Sequence, residues 1–138
     1  MPALSTVMPL ENLLQFGLHF VVVAVAMVVS ATLWLWATPF KEIALIRAGN
    51  TAAAASFGGA LVGFALPLAG VVRASDSIWE VIPWSLLALL TQLAGLVIAS
   101  RLLHGVTRHI EHGELASGLF IASVAISIGI LNAACLGG

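Results

Sequence analysis

The sequence predicts an all-α membrane protein whose four transmembrane helices form two tandem parallel two-helix repeats. Three observations carry that prediction. Hydrophobic residues make up 61% of the 138-residue chain and charged ones only 8%, whereas a soluble domain typically carries about 25% charge. Four apolar runs, each about 20 residues and so long enough to cross a hydrocarbon core of about 30 Å, alternate with short polar segments. Finally, Ile46-Arg-Ala-Gly-Asn-Thr-Ala52 recurs in altered form 64 residues later as Ile110-Glu-His-Gly-Glu-Leu-Ala116, and each copy closes a polar segment and opens an apolar one. The length allows a single integral membrane domain, with a lead-in at 1–15, a first hairpin at 16–73 and a second at 74–138.

Residues 1–15 mix Pro2, Ser5, Thr6, Pro9, Glu11, Asn12 and Gln15 with apolar residues in no sustained period. The first span runs from Phe16 to Trp36, about 31 Å at a rise of about 1.5 Å per residue. It is too long for a signal-peptide core, no Lys or Arg precedes it, and it is expected to be retained. Its one ionisable side chain is His19, and Trp34 and Trp36 close its far end as interfacial anchors. Thr38-Pro39 ends the helix, and Phe40 to Gly49 forms a connector that carries Lys41, Glu42 and Arg47 and lies flat in the interface.

The second span, Thr51 to Val72, presents Ala52, Ala55, Gly59 and Gly63 at intervals of three or four, a stripe that admits a neighbouring backbone. Pro67 should kink it or thin its hydrogen bonding. A polar turn from Arg73 to Glu80 leads to the third span, Val81 to Ser100, with Thr91 and Gln92 at mid-depth. The Gln92 amide needs a partner in hydrocarbon, so it should face another helix or a wet cavity. A second connector, His104 to Glu114, carries Arg108, Glu111 and three histidines. The fourth span, Leu115 to Leu136, places Gly118, Ala122, Ala125 and Gly129 on one side, Ser123 and Ser127 on another, and Asn132 near its end.

Lys41, Arg47, Arg101 and Arg108 belong to the connectors and their flanks, against Arg73 alone on the other side. The excess of positive charge puts the connectors in the cytoplasm and both termini outside. Because each hairpin starts on the same side, the repeat is parallel. A formal net charge of −1 with five Lys and Arg offers no basic patch for nucleic acid. Cys135, the one cysteine, cannot form an internal disulfide and reads as a buried, inert thiol.

Several separated stretches, Gly49-Asn-Thr-Ala-Ala-Ala, Gly58-Gly, Gly63-Phe-Ala-Leu-Pro-Leu68, Gln92, Gly113-Glu and Leu131-Asn-Ala-Ala-Cys135, together resemble the YjfL family of small bacterial inner-membrane proteins. The family is also catalogued as a domain of unknown function, number three-fifty of its series. The resemblance covers residue 14 to the end. It implies four spans as two repeats in a bacterial inner membrane, transfers no catalytic residue, and suggests a membrane-stress protein as a partner. His104, His109 and His112 fall outside its pattern.

Asn50 and Glu114 hold equivalent positions in the two copies, each after a glycine at the start of a span. Helix capping and dipole complementation account for both, and a polar ring at a cytoplasmic pore mouth is the functional alternative. His109 and His112 share a helical face and are weak metal candidates without a third ligand, so no metal and no cofactor is expected. The intramembrane polar residues His19, Thr91, Gln92 and Asn132 read first as helix glue and second as the lining of a path. Gly59, Gly63, Gly118 and Gly129 are packing positions, expected to assemble a homo-oligomer through the second and fourth helices. No nucleophile beside a base, no HExxH and no phosphate loop is present, so an enzyme is not expected. The leading functional expectation is a homo-oligomeric passive conduit for ions or small solutes within the lipid bilayer. The alternative is a structural protein whose connectors recruit an envelope-stress partner.

Overall fold

A computed structural model describes residues 9–39 and 41–137. The described chain is helical throughout: α1 (Leu10–Ala37), α2 (Glu42–Arg47), α3 (Thr51–Ala74), α4 (Ile78–Leu102), α5 (Val106–Glu111) and α6 (Leu115–Gly137). α1, α3, α4 and α6 are each long and apolar enough to cross a membrane. The short helices α2 and α5 are the connectors. Pro2, Ser5, Thr6 and Phe40 lie outside the described residues.

Boundaries differ from expectation where polarity and helicity part company. α1 begins at Leu10, so the lead-in is part helical, because Pro9 stands at the N-cap and its carbonyl accepts from the Asn12 and Leu13 amides. Glu11, Asn12 and Gln15 are polar but fully compatible with an exposed first helical turn. The polar turn after the second span shrinks to Ser75–Ser77, since Arg73 still lies in the last turn of α3 and Trp79 and Glu80 already belong to α4, whose N-cap Ser77 accepts from the Trp79 amide.

The core is the crossing of α3 and α6, which run in the same direction. A Cβ added to Gly118 would strike the backbone of Ala52, one on Gly59 the backbone of Ala122, and one on Gly63 the carbonyl of Ala125. Further along, a Cβ on Gly129 would strike the Gly63 backbone, and one on Gly70 would only reach ordinary contact with Ala133. Contact partners advance together from the connector end to the other, which defines a parallel pair. With lipid as the alternative neighbour, such a seam is held by close van der Waals packing and not by hydrophobic transfer.

Pro67 sits in the same seam, buried, and α3 continues through it. Proline lacks the N–H that the Gly63 carbonyl would otherwise accept. That carbonyl lies against Gly129, where a glycine allows the backbone close enough for a Cα–H contact to the oxygen.

The expectation that these glycine and alanine faces build a contact between subunits is corrected here. They are consumed inside one chain. Two small-residue stripes on parallel helices tethered at the same end meet each other before they meet a second copy.

The two connectors match in local detail at a constant offset of 64 residues. Gly49 and Gly113 both have positive φ, 87° and 80°, the left-handed conformation that favours glycine after a helix. The Asn50 amide donates to the Leu45 carbonyl and the Glu114 amide to that of His109, both at 2.9 Å. Both connectors lie at one end of the bundle. α1 is the peripheral helix, mostly exposed, and touches the core chiefly through Ser30, the partly buried Met27 and Leu33, and Trp34, whose ring meets Phe64 edge-on at 5.9 Å.

Candidate functional site

Most of the polar residues singled out from sequence are absorbed by structural hydrogen bonds. Gln92, 1% exposed, donates from Nε2 to the Ala125 carbonyl at 2.9 Å and fills the space left by the missing side chain of Gly63. It is thereby a clamp across the α3–α6 seam from α4. Asn132 donates from Nδ2 to the Thr91 hydroxyl at 2.7 Å and to the Ala88 carbonyl at 3.3 Å, on the partly exposed border of α4 and α6. His19 lies at the end away from the connectors, its Nδ1 2.8 Å from the Gln15 carbonyl, in a shallow cleft shared with Arg73. Thr91 and Asn132 are joined to each other, whereas His19 lies apart from them.

Asn50 is the N-cap of α3: its Oδ1 accepts from the Ala53 amide at 3.0 Å, an arrangement typically worth about 1 kcal/mol. Its Nδ2 also donates to the Ile110 carbonyl at 2.8 Å and reaches the Glu111 carbonyl at 3.3 Å, which ties the start of the second span to the end of the other connector. Glu114 Oε2 lies 2.5 Å from His109 Nδ1, a solvent-exposed contact. His112 Nδ1 instead approaches the Arg108 carbonyl of its own helix at 2.7 Å. The two metal candidates thus have separate partners, and no three His, Cys, Asp or Glu converge among the described residues. Cys135, expected to be buried, is exposed at the end away from the connectors, because its position on α6 turns away from the seam.

Among the described residues the buried polar atoms without a hydrogen-bond partner are Ser85 Oγ and Gln92 Oε1 on α4 and a group nearer the connectors. Trp34 Nε1, both carboxylate oxygens of Glu42 and the Ser56 hydroxyl are buried without a hydrogen-bond partner, each on a residue about 1% exposed. Ser56 lines a cavity of about 280 Å³ bounded by Thr38 and Pro39, by Ser100 and Arg101 of α4, and by Thr107 of α5, with Leu93, Ile110 and Ile121 as apolar walls. On the other side of Thr38 and Pro39 a second, more open pocket is bounded by Lys41 and Glu42. Burial pushes the Glu42 carboxyl up to about 7 from 4.5, and the Trp34 N–H and Thr38 hydroxyl beside it hold it from rising further.

Glu42 is the residue that reading the sequence as a flat interfacial connector passes over. Sequence held one signal of it. At the shared offset of 64, Glu42 is matched by Val106, the first residue of α5, which is buried as well. There an acid stands where the other connector has a buried valine.

A family model described as a domain of unknown function, DUF350, matches residues 8–136. The chain is 30% identical over 127 residues to the inner membrane protein YjfL from two strains of Escherichia coli, an alignment covering 92% of this chain and 96% of the relative. No solved structure matches.

Proposed function

We propose, from the premise that this chain belongs to the DUF350 family, that it is the protomer of a homo-oligomeric, passive, channel-like conduit for ions or small solutes in the bacterial inner membrane. The cavity at the connector end is its inner vestibule. The observation that carries this reading is the Ser56 hydroxyl, buried, unpartnered and lining that cavity. Ser56 makes no bond back to its own helix, unlike Ser100 on the opposite wall and Ser123 and Ser127 on α6, each at 2.7 Å, and an unpaired buried hydroxyl beside a cavity with polar walls offers a place for an ordered water.

The shared 64-residue offset of the connectors, their left-handed glycines and their amide bonds supports reading the two hairpins as tandem parallel repeats. The excess of Lys and Arg at this end supports its cytoplasmic placement, with both termini outside. Within one chain the α3–α6 seam closes the vestibule, so the passage is completed by a second subunit or by movement of α1, the least buried span. The role is conduction and not catalysis.

The dry seam and the structural use of Gln92 and Asn50 favour a second reading, in which the connectors dock a membrane-stress partner. Purified protein in liposomes separates the two. The conduit reading expects flux above empty vesicles that persists in Gln92→Leu, because Gln92 clamps helices and lines no path; no flux across a panel of salts and small solutes overturns it. Retention of every co-purifying protein after exposed connector residues are replaced would remove the docking reading.

A further inference from the structure

We propose that Glu42 is a proton-binding site at the threshold of the vestibule, so that the conduit carries protons or is opened by them. The inference rests on the conduit reading for its consequence, though not for the site itself. Three geometric facts support it.

Glu42 is 1% exposed, neither carboxylate oxygen is held in a well-formed hydrogen bond, and the polar groups beside it are the neutral Trp34 N–H and Thr38 hydroxyl. The matched position in the other half of the fold is Val106, also buried, so packing at this slot does not require an acid. Thr38 and Pro39 border both the Glu42 pocket and the vestibule, which makes the carboxyl a neighbour of the path.

No charge nearby fixes the carboxyl as an anion. On its own element and its flank, Lys41 and Arg47 are exposed and form no ion pair with it. The part of α1 against it, Trp34 to Thr38, contains no titratable group, and neither does the start of α3 from Thr51 to Ser56. Across Thr38 and Pro39, Arg101 borders the vestibule and not the Glu42 pocket. This setting favours the neutral acid, in keeping with the upward push by burial.

Release breaks the O–H bond, sends the proton to water at the connector end and leaves a carboxylate that the Trp34 N–H and Thr38 hydroxyl stabilise in part and that hydration must stabilise further. Drawing water into the slot displaces α2 from beneath α1 and widens the gap at Thr38. Rebinding a proton reseats the helix.

The test uses the full-length protein in phospholipid vesicles, with Glu42→Gln and with Glu42→Val, the latter chosen because the matched slot already holds valine. Infrared difference spectra over a pH series should show a protonated-carboxyl band with a midpoint near 7, lost in both variants. Parallel flux measurements should show a dependence on pH that Glu42→Val loses. A band titrating in the ordinary glutamate range of about 4.3 overturns the proton site and leaves the conduit untouched. Titration near neutrality with no flux in any vesicle supports the proton site while removing the conduit. The same pH profile of flux in Glu42→Val as in the parent overturns the coupling.

Discussion

Replacing Gly129 by Val is expected to abolish most of the folded, detergent-stable protein. At that position even a Cβ would fall inside the Gly63 backbone, and backbone, unlike the tip of a flexible side chain, has no rotamer to which it can retreat. Overpacking a well-ordered core typically costs about 1–3 kcal/mol; here the parent helices must separate along the seam that makes up most of the core, so the loss falls at or beyond the upper figure. Gly58 provides the contrast. It lies on the same helix as Gly63, with nothing within 4 Å of an added Cβ, so Gly58→Ala should leave stability unchanged or slightly raised. Thermal challenge in detergent followed by size-exclusion chromatography checks both. Equal survival of Gly129→Val and the parent would show that α3 and α6 do not approach there.

A second large effect should appear in the pH dependence of stability. Glu42 has a folded pKa of about 7 against 4.5 for an unperturbed group. Below about 4.5 both folded and unfolded chains hold the proton, and the contribution to stability is fully present. Between the two values the unfolded chain releases its proton first, so the folded state loses ground as pH rises. Above about 7 the loss is complete, on the order of 3 kcal/mol. Glu42→Val removes the titration. Its stability relative to the parent should therefore rise through this window and then level off, as read by unfolding in mixed micelles at each pH. A constant difference between the two proteins would contradict the burial of an acid at that position.

The spans were legible because four apolar runs in a chain with 8% charge leave little choice. The glycines at 59, 63, 118 and 129 were legible as close-approach positions too, since small residues at helical spacing have one main physical use in lipid. Their partner was not. A stripe states that a backbone comes near and not whose backbone, and here it was the other half of the same chain. Gln92 announced an unmet need for a partner, but its acceptor is a main-chain carbonyl, and carbonyls leave no mark in a sequence. The tie from Asn50 to Ile110 was hidden for the same reason.

Glu42 was obscured differently. Beside Lys41 and in the first turn of a short helix it has the pattern of a solvated surface acid, and only alignment with Val106 tells against that. Ser56, among the alanines of α3, differs from them by a single hydroxyl whose surroundings are set entirely by tertiary packing.

The conduit reading requires that water enter the bundle from the connector end as far as Ser56 and stop at the seam. Ser56→Cys in a Cys135→Ser background, probed with a membrane-impermeant thiol reagent on vesicles of each orientation, tests it most directly. The account predicts modification from the connector face alone. A thiol inert from both faces, or reactive from the opposite one, would contradict it.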